Sequence, residues 1–238
     1  MSSSDTAKRA AAHVAARFVL DAADGADVIG VGTGSTVAHF IDALGSSARR
    51  PSRAVSTSPD TDTRLRAAGI EIATLAEVPA PLGIYVDGAD EIDALGQAIK
   101  GGGGAHTREK AIARASRTWV CIVDDTKLVD TLGQQAAVPI EVEADSCAAT
   151  LDALVAMGGQ PHVRGDGPGG PATVIVDVTG LDLHDPPAME QGLESLPGVL
   201  ACGIFASRRA DVILVGHPDG SVTTVRPPPT PPRSRRAE

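Results

Sequence analysis

The chain has 238 residues, of which 42% are hydrophobic, 21% charged and 2% aromatic, and it carries a net charge of −9 at neutral pH. Such a composition supports a globular core, but it lacks the basic stripe of a nucleic-acid binder and the aromatic platform on which bases stack. No apolar run approaches the roughly 20 residues that span a bilayer, the start MSSSDTAKRA lacks the layout of a secretory leader, and three isolated cysteines suit reduced thiols in a cytoplasmic protein.

In chain order, DTAKRAAAHVAARFVLDA (5–22) reads as an Ala-rich amphipathic helix. DVIGVG (27–32) reads as a short buried strand. It is followed by TGST and VAHFIDAL, where Val37, Phe40, Ile41 and Leu44 recur at helical spacing on one face. A strand around Ala54–Thr57, a helix over Thr61–Ala68 and a strand at Ile70–Leu75 come next. LGIYVDGAD (82–90) is predicted as a strand that ends in an acidic turn. After a run of four glycines, Thr107 is placed to cap a helix through about Ser116, and TWVCIVDD (118–125) is another apolar strand running into acids. Strands alternating with helices predict an α/β fold with a doubly wound, mostly parallel sheet.

From about Leu132 the rhythm changes. VPIEVEA, a helix over Ser146–Met157, PHVR, ATVIVDV, a helix over Pro187–Leu196 and GVLACGIF make a β-α-β-β-α-β pattern. This predicts a small ferredoxin-like α+β domain over 132–206, with GDGPGGP (165–171) as the loop between its middle strands. ADVILVGHPDGSVTTVR (210–226) reads as a hairpin turned at Pro218-Asp219-Gly220 that returns to the first sheet. Residues 1–131 and 207–226 would then form one α/β domain, and the Pro/Arg-rich end, 227–238, is predicted to be disordered.

Four stretches carry chemistry. In GVGTGST (Gly30–Thr36), a strand-to-helix turn exposes amides at a helix N-terminus, which favours an anion. Thr33, Ser35 and Thr36 add hydroxyls beside Gly34. The glycines fall at 30, 32 and 34, with Thr36-Val37 where a dinucleotide fingerprint needs its last glycine, and no Gly-Lys-Ser/Thr follows. A small phosphate fits this turn better than a nucleotide; a merely tight turn would show the same glycines.

DGADEID (Asp87–Asp93) resembles a calcium loop in its acid content but has Ala89 at its third position and Ile92 at its sixth, where an EF-hand needs an oxygen ligand and a glycine. It is either a solvated turn or a set of carboxylates for sugar hydroxyls, with Asp87 at the end of the strand. In IKGGGGAHTREK (99–110), ordering four glycines is entropically costly, so either this is a linker or the backbone must approach a ligand closely. Lys100 and Glu109 flank the run, which suits proton abstraction beside a carbonyl: a base takes the proton while a cation steadies the enolate oxygen. A glutamate in a first helical turn is also simply favourable to the helix dipole. Lys127, after the strand at 118–125, stands at the same sheet edge.

GVGTGSTVAHFIDAL, YVDGADEID, KGGGGAHTREK and VDDTK, in this order and spacing, closely resemble ribose-5-phosphate isomerase, type A. The likeness continues through MGGQP, DPPAME, LPGV and ADVILVGHPDG, so it covers nearly everything from residue 5 to about 226. It implies interconversion of ribose 5-phosphate and ribulose 5-phosphate in the non-oxidative pentose phosphate pathway, by a homodimer or homotetramer that uses no metal and no organic cofactor. It also implies that Glu109 is the general base, and that Thr33, Gly34, Ser35 and Thr36 bind substrate. Asp87, Gly88, Ala89 and Asp90 would form the acidic binding turn, Asp87 assisting ring opening. Lys100, Gly101, Gly102 and Gly103 would hold the developing enediolate, and Lys127 would bind substrate as well. His106 replaces an apolar residue common in the family and reads as a tolerated neighbour, with a second proton shuttle as the remote alternative. Among rivals, sugar-phosphate deaminases and lactonases of the broader fold group lack the DGADE and KGGG…REK pair, and a non-catalytic sugar-phosphate sensor would be expected to lose Glu109.

Overall fold

The computed structural model of the chain describes residues 2–22, 27–78, 80–168 and 170–228. Helix α1 (Ser3–Asp21) begins at Ser2, whose hydroxyl accepts from the Asp5 amide, and buries a stripe of alanines with Val19. Then come β1 (Val28–Val31), α2 (Ser35–Gly45), β2 (Arg53–Ser56), α3 (Pro59–Ala67) and β3 (Glu71–Ile72). The strand expected over 70–75 is this short because the chain turns into a 3-10 segment at Leu75–Glu77, where Thr74 and Glu77 cap each other. β4 (Leu82–Asp87) leads through two short strands, β5 (Glu91–Ile92) and β6 (Ala98–Ile99), to α4 (His106–Arg114) and β7 (Ser116–Asp124). Thr107 does not cap α4: Ala105 holds the cap position, and the Thr107 hydroxyl donates to the Glu141 carboxylate instead.

The next stretch holds β8 (Val138–Glu143), α5 (Cys147–Ala156), β9 (Gln160–Gly167), β10 (Gly170–Thr179), α6 (Pro186–Glu194) and β11 (Val199–Cys202). The loop expected over 165–171 is mostly strand, since β9 and β10 extend to Gly167 and from Gly170. The single strand expected over 198–205 breaks after β11. At the break the Gly203 amide donates to the Pro139 carbonyl and its own carbonyl accepts from the Lys100 amide. The second half, β12 (Ile204–Phe205), pairs with β6 rather than with β11's sheet. β13 (Val212–Gly216) and β14 (Val222–Val225) close the chain as the predicted hairpin. Of the Pro/Arg-rich end, Pro228 accepts a hydrogen bond from Arg209 through its carbonyl; the disorder expected there otherwise falls on residues 229–238, which lie outside the described residues.

The main sheet has seven strands in the order β14-β13-β7-β4-β1-β2-β3, parallel throughout except for the β13–β14 pair. One face is covered by α1, α2 and α3, with Val19, Phe40, Ile41, Leu44 and Leu65 packed on Ile29, Val86 and Ile122. The other face carries Tyr85, Trp119, Cys121 and Ile213 under Ile112 of α4 and Phe205 of β12. A smaller antiparallel sheet, β11-β8-β10-β9, has the ferredoxin-like order, with Leu154 of α5 and Leu193 of α6 on Ile140, Val176 and Val178.

Two buried carboxylates tie the ends of this smaller unit to the rest. Glu91 accepts from the amides of Gly133, Gln135 and Ala136 where the chain enters it, and Glu190 from those of Ala206 and Ser207 where it leaves. No helix among the described residues is long and apolar enough to cross a membrane.

The topology positions the site. From β1 the chain winds outward through β2 and β3 on the face of α2 and α3. From β4 it crosses to β7 through α4 on the opposite face. Where the winding reverses, the loops leaving neighbouring strands diverge and open a crevice at the strands' carboxyl ends.

Candidate active site

The crevice is a cavity of about 380 Å³. The turn after β1 forms one wall. Gly32 donates its amide to Val86, and a β-carbon at Gly32 would lie 1.8 Å from Asp87 Oδ1, so only glycine lets that carboxylate sit beneath the turn. Gly34 occupies the N-cap of α2 without a side-chain cap. The first amides of α2, at Ser35 and Thr36, therefore face the cavity with the positive end of the helix dipole behind them. Thr33 is held in place by its amide, which donates to Asp87 Oδ1 at 3.2 Å, and by its hydroxyl, 3.0 Å from that of Ser58.

Beneath the turn lies a buried chain of charges. Lys100 Nζ stands 2.8 Å from Asp87 Oδ2, 3.2 Å from Glu109 Oε2 and 2.6 Å from the Gly88 carbonyl. The Tyr85 hydroxyl donates to Asp87, which also accepts from the Gly88 amide at 2.7 Å. Burial opposes the charge on Lys100, but Asp87 and Glu109 outweigh it and hold the ammonium above its ordinary range. Glu109 fares otherwise. Its Oε2 makes no hydrogen bond in line with the nearby ammonium. Burial, reinforced by repulsion from Asp87 and opposed by Lys100, raises its carboxyl to about 8. The result is a dry, under-solvated carboxylate beside a fixed cation. Lys100 and Lys110 also lie 5.6 and 5.0 Å from the centre of the Phe205 ring, which keeps both ammonium groups against an aromatic face.

The acids of the turn after β4 diverge to separate partners rather than converge on one point. Asp90 accepts from the Gly102 amide at 2.8 Å, Glu91 holds the 133–136 segment, and Asp93 accepts from the Leu95 and Gln97 amides. The glycine run forms the lip of the cavity. Gly101 has φ +103°, and a β-carbon there would strike the His106 ring. His106 itself is fully buried under that loop, with neither ring nitrogen in a well-formed hydrogen bond among the described residues, and burial, with the charge of Lys110 adding to it, holds the ring near a pKa of 4. It is a neutral support and does not line the cavity.

Thr33, Gly34, Ser35, Thr36, Gly88, Ala89, Asp90, Lys100, Gly101, Gly102, Gly103, Glu109 and Lys127 all lie on the cavity wall. Asp87 does not: it is wholly buried and reaches the cavity only through Lys100 and the Thr33 turn. Lys8, Ser58 and Asp60 line the wall although no motif pointed to them, and Ile122, Val123 and Asp124 line it at the end of β7, where the VDDTK motif begins. Lys8 comes from α1, whose first turns pack beside the end of β7, where Lys8 Nζ lies 4.0 Å from Asp124. That meeting is set by packing across the sheet and leaves no local pattern.

The family model of ribose 5-phosphate isomerase A (phosphoriboisomerase A) matches residues 53–220. A solved ribose 5-phosphate isomerase A from Neisseria gonorrhoeae is 41% identical and superposes with a TM-score of 0.89 over 96% of this chain and 100% of that one. The enzyme from Methanocaldococcus jannaschii is 33% identical, with a TM-score of 0.82 over 92% and 97% of the two chains. A D-ribose-5-phosphate isomerase in complex with phospho-erythronic acid is 36% identical, with a TM-score of 0.84 over the same shares. Sequence and backbone thus agree along nearly the whole length: the chain belongs to the ribose 5-phosphate isomerase A family.

Proposed function

We propose that Glu109 is the base and Lys100 the electrophile by which this enzyme interconverts ribose 5-phosphate and ribulose 5-phosphate, the reaction of its family. The observation that carries the assignment is a buried ammonium 3.2 Å from a carboxylate that burial has made basic, on the cavity wall that also holds an open helix N-terminus.

In this reading the sugar phosphate docks its phosphate on the amides and hydroxyls of Thr33–Thr36, with Lys8 and Lys127 adding positive charge. The open-chain aldose then presents C1 and C2 to Glu109 and Lys100. Glu109 removes the C2 proton, the electron pair moves into the C1–C2 bond, and Lys100 stabilises the charge that develops on the oxygens. Glu109 returns the proton to C1 while the O2 hydroxyl gives up its proton and O1 gains one, which yields the ketose. A carboxyl poised near neutrality suits both halves of this exchange. Asp87 keeps Lys100 charged and holds the Thr33 turn, and acts on the sugar through them.

Purified protein supplied with ribose 5-phosphate and EDTA is expected to form ketose at its full rate; failure to do so overturns the cofactor-free reading. Glu109→Gln is expected to bind the sugar phosphate with similar affinity and to lose kcat by roughly 10²–10⁴-fold. Near-normal turnover would remove Glu109 from its role.

The same reading extends to organisation. Residues 1–131 with 207–226 form the catalytic domain and 132–206 an inserted domain, an arrangement supported by the separate cores of the two sheets. The enzyme acts as a homodimer or homotetramer in the cytoplasm, where three unpaired cysteines are at home.

A further inference from the structure

Arg164 lies on the edge strand β9 of the smaller sheet. Val163 opposes Val176 and Gly165 opposes Ile175, so Arg164 is the extra residue of a β-bulge. Bulges re-aim a side chain and collect near active sites. This one sends the guanidinium to two places. Its Nε and Nη2 fork onto the carboxylate of Asp177, Nε at 2.7 Å. Its Nη1 donates to the carbonyls of Gly101 at 3.1 Å and Gly102 at 3.0 Å.

These two peptide units belong to the glycine loop that forms the lip of the cavity. The 101–102 unit is fixed at both ends: its carbonyl meets Arg164 and its N–H, from Gly102, meets Asp90. In the 102–103 unit the carbonyl also meets Arg164. A trans peptide points its N–H opposite to its carbonyl. The Gly103 N–H is thereby aimed away from Arg164, toward the side where Asp90 and the cavity lie. It donates to no acceptor among the described residues. A cation on the carbonyl side also polarises each peptide, which strengthens the opposite N–H as a donor to developing negative charge.

We propose that Arg164 is a positioning residue for the isomerisation: from the smaller unit, and oriented by Asp177, it sets the glycine-loop peptides so that the Gly103 N–H serves the enediolate. The inference rests on the reading of that loop as the substrate's oxyanion wall.

The test is steady-state kinetics of Arg164→Ala, Arg164→Lys and Asp177→Asn, each with inhibition by phospho-erythronic acid, whose carboxylate offers two oxygens as the enediolate does. Arg164→Ala is expected to lose kcat by roughly 10- to 100-fold. The inhibition constant should rise by a comparable factor while KM for ribose 5-phosphate changes less than about threefold. Arg164→Lys should fall between Arg164→Ala and the wild type, because an ammonium cannot hold the carboxylate and both carbonyls together. Asp177→Asn should lose part of what Arg164→Ala loses and add little to it in the double variant. Millimolar methylguanidinium should restore part of kcat to Arg164→Ala and none to Glu109→Gln. Wild-type kcat and inhibition in Arg164→Ala overturn the proposal, and if that variant is insoluble the same result in Arg164→Lys does so. A rise in KM alone also overturns it. An active Glu109→Gln would instead bring down the reading of the site, whatever Arg164 does.

Discussion

Glu109 combines two properties that seldom coexist in one carboxylate: it is almost wholly out of water, and its nearest cation is shared with Asp87. Its folded value of about 8 stands above the ordinary 4.5, so the native state holds this proton more tightly than the unfolded chain. The stability this proton contributes is complete below about pH 4.5 and is lost as pH rises through about 8. Thermal melts of wild type and Glu109→Gln from pH 5 to 9 should therefore show the wild type losing ground to the variant as pH rises; a constant difference would mean that the carboxyl titrates in the ordinary range. In the opposite direction, kcat/KM should fall as pH drops below about 8, because the base must be ionised to act. Lys100 and Glu109 were legible in the sequence because charged residues flanking a glycine run have a chemical reason to be there. Lys8 was not, because its place on the wall depends on where α1 crosses the sheet. Asp87 was found but misplaced: the strand end put it at the right edge, and nothing local revealed that Tyr85, Thr33 and Lys100 would enclose it.

At the scale of elements, the turn after β1 is the most constrained piece. Gly32→Ala would drive a methyl group into the Asp87 carboxylate and displace Lys100 with it. The expected cost is about 1–3 kcal/mol of stability, read by denaturant unfolding, together with a loss of kcat larger than that of a neutral surface change such as Asp182→Asn. The long elements were readable because period and caps agree with their burial, as in α2, where Val37, Phe40, Ile41 and Leu44 are all buried. The two-residue strands β5, β6 and β12 were not readable. Each is too short to show a period, and β12 pairs with β6 from about a hundred residues away. Thr107 illustrates the same limit, since a good capping residue was claimed by Glu141 from another element.

Across the molecule, Lys110 links the two units. Next to the base on α4, it turns away from the cavity and reaches Glu190, Glu194 and the Ile204 carbonyl, each at 2.7 Å. Lys110→Met should cost about 3–5 kcal/mol, since it takes the closest cation from the buried Glu190 carboxylate. Urea unfolding would measure that loss, and an unchanged midpoint would show the network to be idle. The alternation of strands and helices was enough to read the main sheet, and the β-α-β-β-α-β rhythm after Leu132 was enough to expect the smaller sheet. How the two units are joined was beyond reach, because Glu91 acts on amides more than forty residues along the chain and Lys110 on carboxylates eighty residues away.

Those two carboxylates have a mechanical consequence. The smaller sheet is entered and left through chain segments stapled by desolvated acids, Glu91 holding three amides and Glu190 two. Swinging the unit as a lid would tear out both anchors at once, at a cost that a small sugar could not repay. The glycine run at the lip is no looser, since Arg164 and Asp90 hold its peptides from opposite sides.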